Sequence, residues 1–308
     1  MTDRPSRAPR TVTPRDARAV EGHGELAFPL TPAVLAAVVK VALEEDRAFE
    51  DVTTIATVVS DRRIRSRLVA REAGVIAGIP LAVEAFHQLD PKIAIRIDVE
   101  DGGRVEKGTA VLFLSGHARP VLSAERVALN YLQRLSGIAS LTARYVHAVH
   151  GTKSKILDTR KTTPGWRALE KYAVRAGGGT NHRKDLATGV LIKDNHLAAV
   201  EGDIALAVRR AREVARPGTP VEVECETREQ VGAALAAAAD IIMLDNMPPE
   251  LMRECVRLVD GRATVEASGG VTLATVRAIA ETGVDWISVG ALTHSAKALD
   301  LGLDVDPA

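Results

Sequence analysis

The chain has 308 residues, 40 basic against 40 acidic side chains, and 46% apolar residues. A formal net charge of zero excludes general wrapping of nucleic acid, which needs a basic surface, but leaves room for a local basic pocket. Two cysteines, Cys225 and Cys255, form neither a disulfide framework nor a CxxC pair, and no apolar run reaches the ~18 residues of a spanning helix. The basic N-terminus lacks the apolar stretch of a signal peptide. The expectation is a cytoplasmic protein without nucleic-acid or membrane partners. Its length fits two domains, or one barrel with an attachment.

Residues 1–25 carry Pro5, Pro9 and Pro14 among Arg, Thr and Asp, with little to bury, and are expected to form a disordered tail. Structure should begin at Thr31-Pro32, an N-cap followed by proline at the first helical position. Val34, Leu35, Val38, Val39, Ala42 and Leu43 then mark a helical face. From Ile64 the rhythm changes to alternation, with Ile64, Ser66, Leu68 and Ala70 on one side and Arg65, Arg67, Val69 and Arg71 on the other. Ile93, Ile95, Ile97 and Val99 alternate more cleanly. These are half-buried strands of a small α+β domain. After Ser123, residues Val127, Tyr131, Leu132, Leu135, Ile138, Leu141, Tyr145 and Val149 recur at helical spacing, with Gly137 as a point of bending or division.

Beyond residue 150 the chain alternates strand and helix. Strands are expected at 155–158, 190–193, 221–225, 240–244, 263–267 and 285–289, with helices near 203–215, 227–239, 248–259 and 272–282. This is parallel β/α architecture. A barrel fits better than an open dinucleotide-binding sheet, because no GxGxxG follows the first strand. Six strands fall short of the eight of a closed barrel, so either a strand lies near 174–178 or the barrel is incomplete.

Loops after parallel strands gather at one end, which is where such folds place chemistry. Every expected strand ends in charge or glycine: Asp158-Thr159-Arg160-Lys161, Lys193-Asp194, Glu224, Asp245-Asn246, Ser268-Gly269-Gly270 and Gly290. Arg160, Lys161 and Lys193, with His182 and Arg183 on the loop between the first two strands, suit a ligand with several negative groups. Glu224 and Asp245 end neighbouring strands and offer only oxygen, a donor set suited to Mg²⁺ shared with substrate phosphates. Glu222 shares a face with Glu224 by the period of two. Glycines at 269, 270 and 290 let backbone amides approach a phosphate, and the helix at 272–282 is expected to add its dipole. The histidines have no compact zinc spacing. Together these residues describe a Mg²⁺-assisted enzyme for a polyanionic, phosphorylated substrate, working by electrostatic stabilisation.

The segments ERVALNYLQRLSGIA (125–139), LDTRKTTPGWRALEKYAVRAGGGTNHR (157–183), LIKDNH (191–196), VEVEC (221–225), IIMLDN (241–246), EASGG (266–270) and SVGALTHS (288–295) resemble the quinolinate phosphoribosyltransferase family, in family order, over nearly all of the chain after residue 30. The resemblance implies an incomplete, open β/α barrel (131–290) and an N-terminal α/β sandwich domain (26–130) to which residues 291–308 return. It implies transfer of the phosphoribosyl group of 5-phosphoribosyl 1-pyrophosphate to quinolinate with decarboxylation. The products are nicotinate mononucleotide, CO2 and pyrophosphate, in NAD biosynthesis. It implies a homodimer, or a hexamer, in which Arg126 reaches the neighbouring subunit's site. Arg126, Arg160, His182 and Arg183 match the dicarboxylate clamp, with the catalytic lysines Lys161 and Lys193 beside it. Glu224 and Asp245 match the pair facing the ribose and Mg²⁺; Ser268, Gly269, Gly270 and Gly290 match the phosphate cradle. Rival readings are a related transferase for another aromatic acid, an aldolase with Lys193 as a Schiff-base lysine, and a catalytically silent scaffold.

Overall fold

The structure is a computed structural model that describes residues 10–12 and 26–306. Its elements in chain order begin with β1 (Arg10–Val12), α1 (Pro32–Glu45), α2 (Val52–Thr57), β2 (Arg63–Ala70), β3 (Gly74–Val75), α3 (Ile79–Leu89), β4 (Ala94–Ile97), β5 (Arg104–Val105), β6 (Ala110–His117) and α4 (Ala118–Ala148). There follow β7 (Lys155–Leu157), α5 (Arg167–Ala176), β8 (Val190–Ile192), α6 (Asp194–Ala198), α7 (Ile204–Val214), β9 (Val221–Cys225) and α8 (Arg228–Ala236). The series ends with β10 (Ile241–Asp245), α9 (Pro249–Val259), β11 (Thr264–Ser268), α10 (Val276–Ala280), β12 (Trp286–Ser288), α11 (Ala291–His294) and a C-terminal strand, Leu301–Val305.

Two compact units result. The first takes the chain up to Leu141, with Ala168–Gly177 and the residues from Ala296 on. Its main sheet has the order β1-β4-β6-β2 followed by the C-terminal strand, and every pairing is antiparallel. Thr31 caps α1 through its hydroxyl, as its sequence predicts, and Pro32 opens the helix. The buried stripe of α1 is narrower than the apolar pattern suggests. Leu35, Val39 and Leu43 are buried, each worth ~1.5–3 kcal/mol, while Val34 is 47% exposed. In β2, Ser66, Leu68 and Ala70 are buried and Arg65 and Arg67 exposed, as expected, but Val69, expected on the outward side, is buried too, just past a register shift between Leu68 and Val69.

Two expectations change here. Arg10–Val12, read as part of a disordered tail, pair with Ile97, Arg96 and Ile95 of β4; the rest of residues 1–25 lies outside the described residues. Gly137 neither divides nor ends α4. A Cβ there would overlap the carbonyl oxygen of Lys297, so the glycine admits the returning C-terminal segment. That segment is held by Leu299 N–H donating to Gln133 O and by Gln133 Nε2 donating to Leu301 O. The first unit therefore extends past residue 130, to Leu141.

The second unit comprises Thr142–Arg167 and Gly178–Ser295. Its six strands are all parallel, in the order β7-β12-β11-β10-β9-β8. With β7 and β8 at the two edges, the sheet is an open, incomplete barrel. No strand forms at 174–178; that stretch completes α5, which groups with the first unit, and only an isolated bridge joins Leu157 to Thr180. Strand and helix bounds otherwise follow the expected ones within a few residues, except at 272–282. There the helix is only α10, five residues long, preceded by a turn closed by Thr272 and Thr275. Among the described residues, no helix is long and apolar enough to cross a membrane.

Candidate active site

A cavity of about 560 Å³ opens where the six parallel strands end. The register explains the convergence. Asp245 of β10 lies opposite Ser268 of β11, Met243 lies opposite Glu224 of β9, and Ser288 of β12 lies opposite Leu157 of β7. With a side-chain period of two, inward positions near the strand tips stack in layers. Asp158, Arg160, Lys161, His182, Arg183, Lys193, Glu224, Asp245, Ser268, Gly269 and Gly270 all line the space. Gly290, one residue beyond β12, is not in the lining. A Cβ on it would meet Lys161 Cδ at 3.2 Å and His294 Nε2 at 3.1 Å, so it permits that close packing. Arg126 is exposed on α4 in the first unit and is not in the lining.

The cations are crowded. Arg183 donates from Nη1 to Gly189 O at 2.9 Å. Burial first, then the charge of Arg160, pushes its pKa down. Arg160 Nε is buried without a hydrogen-bond partner. Unpartnered buried donors cost free energy, and like charges placed together cost more, an arrangement suited to an anionic ligand. Lys193 donates to Glu224 Oε2 at 2.5 Å. The pair leaves the lysine a fixed point charge at the tip of β8.

Beneath this rim lies a layer of buried acids. Asp158 accepts from His182 N–H at 2.9 Å and from Asn181 Nδ2 at 2.6 Å, fixing the loop after α5. His182 Nε2 lies 3.1 Å from Glu222 Oε2 and 3.3 Å from Glu266 Oε2. Burial lowers the ring's proton affinity, but the hydrogen bonds to Glu222 and Glu266 outweigh it and push the pKa up to about 10. The Arg183 N–H at 2.8 Å from Nδ1 acts the other way at the second nitrogen. Both ring nitrogens thus face groups of the protein, Nε2 the two carboxylates and Nδ1 the Arg183 N–H. A carboxylate clamp through His182 would have to displace one of these contacts.

The donor atoms of His182, Glu222 and Glu266 lie within 4.8 Å of one another, a group able to hold a divalent cation. Its nitrogen does not single out Mg²⁺, which favours oxygen. The pair expected for Mg²⁺ is different. Glu224 uses Oε2 toward Lys193, and Asp245 uses Oδ2 toward Asn246 Nδ2 at 2.7 Å. One carboxylate oxygen of each remains outside these bonds at a polar cavity wall, which fits a hydrated ion shared with phosphates.

Two lining residues, Asn246 and Ser288, and one residue outside the lining, His294, escape sequence reasoning in their roles. Asn246 adopts a left-handed conformation, φ 53°, and bonds Asp245; a Cβ on Gly269 would overlap its amide, and Gly269 itself has φ +90°. The signal was the asparagine directly after the strand-end aspartate. Ser288 is buried in the cavity wall with an unpartnered hydroxyl. His294 packs by Gly290 and bonds Ser295. The helix dipole expected near residue 272 is not supplied by the five-residue α10, and at this side of the cavity the Ser268–Gly270 loop forms the lining.

The strand tips of an open β/α barrel thus join an arginine–lysine cluster, two carboxylates and a glycine loop, a lining suited to a ligand with several negative groups. Residues 51–136 match the N-terminal domain, and residues 138–304 the C-terminal domain, of quinolinate phosphoribosyl transferase. The chain belongs to this family. It is 46% identical over 261 residues to the probable nicotinate-nucleotide pyrophosphorylase [carboxylating] of Bacillus subtilis (strain 168), covering 85% of this chain and 90% of that one. It is also 46% identical over 270 residues to the corresponding protein of Mycobacterium leprae, covering 86% and 94%. The solved structure of the Francisella tularensis nicotinate-nucleotide pyrophosphorylase superposes with a TM-score of 0.85 at 39% identity, covering 91% of this chain and 99% of that one.

Proposed function

We infer that this chain transfers the 5-phosphoribosyl group of 5-phosphoribosyl 1-pyrophosphate to quinolinate and decarboxylates the adduct. The products are nicotinate mononucleotide, CO2 and pyrophosphate, the carboxylating pyrophosphorylase step of de novo NAD biosynthesis. The observation that carries this reading is the buried, unpartnered Arg160 Nε beside Arg183, a cation pair that calls for a dianionic acceptor. Arg160 and Arg183 grip the two carboxylates as forks, and His182 shapes the floor beneath them. Lys161 and Lys193 balance the acceptor and the pyrophosphate. The ring nitrogen attacks with its own lone pair, so no general base is required. Glu224 and Asp245 face the ribose and stabilise the positive charge that develops at its anomeric carbon. They would also hold Mg²⁺, which when bound neutralises the departing pyrophosphate. Ser268, Gly269, Gly270 and Gly290 cradle the phosphate. Decarboxylation then needs only that the ring stay oriented while the pyridinium accepts the electron pair.

The same reading makes the protein a homodimer, or a hexamer built from such contacts, in which Arg126 completes the partner's site. On α4, Arg119 and Ser123 lie on the face that continues to Arg126. They bond Val58 O, Ile55 O and Asp51, beside a surface on which Phe49, Val52, Ile55 and Val59 are each more than half exposed. The location is cytoplasmic, where Cys225 and Cys255 stay free thiols.

Purified protein with Mg²⁺ and both substrates should release CO2, and nicotinate should not replace quinolinate. Arg160→Ala should raise KM for quinolinate on the order of a hundredfold, through loss of a charged fork, and leave KM for the sugar diphosphate nearly unchanged. Equal loss for both substrates would contradict the clamp. Mixing an Arg126→Ala protein with a Lys193→Ala protein should restore activity that neither has alone, and activity that stays absent after subunit exchange would contradict the shared site.

A further inference from the structure

Glu222 and Glu266 do not line the main cavity, yet they are among its nearest buried charges, 2% and 0% exposed. They come from strands on either side of β10, Glu222 opposite Ile241 and Glu266 opposite Met243. By the period of two they share inward faces with Glu224 and Ser268, one layer deeper. Carboxylates this deep are costly unless something holds them. Glu222 Oε1 and both carboxylate oxygens of Glu266 are buried without a hydrogen-bond partner, so the arrangement is not explained by packing alone. What the two acids share is the Nε2 of His182.

We propose that Glu222 and Glu266 are positioning residues for the acceptor end of the cavity: their carboxylates hold His182 Nε2 by charge from 3.1 and 3.3 Å and fix the imidazole and the Arg183 backbone joined to it. This rests on the reading of that cavity as the quinolinate site. Three carboxylates then frame one histidine. Asp158 holds its main-chain N–H, the two glutamates hold Nε2, and Nδ1 accepts from Arg183 N–H. The chain direction at residues 182–183, and with it the origin of the Arg183 guanidinium, is set by that frame. Glu222 also offsets, through space, part of the repulsion that Arg160 exerts on Arg183. The glutamates thus act on the acceptor through His182 and Arg183, without touching it.

The test compares wild type with Glu222→Gln, Glu266→Gln, His182→Gln and the His182→Gln/Glu266→Gln double variant, varying quinolinate and the sugar diphosphate separately. Glutamine keeps the shape and removes the charge. Each single variant should raise KM for quinolinate on the order of tenfold with little change in KM for the sugar diphosphate. The double variant should be no worse than His182→Gln alone, because both changes break one linkage. In the wild type, ¹⁵N spectra of histidine-labelled protein should show His182 protonated at Nε2.

Four results would each overturn the proposal: an unchanged KM for quinolinate, equal loss for both substrates, additive effects in the double variant, or a bare lone pair at Nε2. A stoichiometric metal that elemental analysis finds in the wild type and not in Glu266→Gln would overturn it too, in favour of a cation bound by the same three residues. If a variant fails to fold by circular dichroism, the other glutamate variant and the wild-type spectrum decide. Absence of CO2 release by wild type would instead sink the functional reading, which separates the two failures.

Discussion

In the first unit, Ser136 and Ser140 of α4 turn inward and accept from the backbone amides of Ala77 and Val75. Asp101 accepts from Ile79 N–H and the Tyr172 hydroxyl. In the second unit, Asp158, Glu222, Glu266 and His182 are buried or nearly so, but Glu222 and Glu266 face the His182 ring, and Asp158 accepts from the His182 N–H. Polar groups of the first kind finish hydrogen bonds that the backbone would otherwise lack. Those of the second kind are ionisable groups gathered beside the cavity, the arrangement that marks candidate functional sites. Burial alone does not mark function. What marks it is ionisable groups facing ionisable groups at the ends of parallel strands.

Substitutions can sharpen that contrast. The largest effect should come from Lys193→Ala, which leaves Glu224 without its cation. We expect kcat/KM to fall on the order of a thousandfold with a small change in Tm, measured by steady-state kinetics beside thermal melts. A loss of stability as large as the loss of rate would erase the distinction between the units. Next is Gly137→Ala in the first unit. The new methyl group meets the Lys297 carbonyl, so unfolding in urea should show a loss of ~3 kcal/mol with KM values for both substrates held in whatever protein stays folded. Smallest is Asp51→Ala. Asp51 caps α2 through Thr54, and those hydrogen bonds to the Thr54 side chain and N–H lower its pKa. The cost should be ~1 kcal/mol. Because the folded pKa lies below the unfolded value of 3.8, the cap's contribution is present above that pH and fades as pH falls through the lower folded value. Melts of wild type and variant should therefore differ at neutral pH and converge only in strong acid.

Much of this was open to reading from residue order. The cap at Thr31-Pro32, the six parallel strands and the charge or glycine after each strand follow from local propensity and the period of two. The match to the family's motifs in order supplied the chemistry. The misreadings have a common cause. Gly137 looked like a point of division because its partner, Lys297, is 160 residues away in sequence. The strand sought at 174–178 was the end of a helix, and the helix sought at 272–282 kept only five residues. Short apolar runs carry both patterns, and packing chooses between them.

Local sequence therefore determined the element types, the open β/α repeat and the residues available at each strand tip. Only the tertiary structure decided which carboxylate serves which partner: Glu224 goes to Lys193, while Glu222, two residues earlier on the same face, joins Glu266 on His182. The reason is that pairing among buried charges depends on strand register and depth across β9, β10 and β11, distances that the order of residues along one strand does not contain.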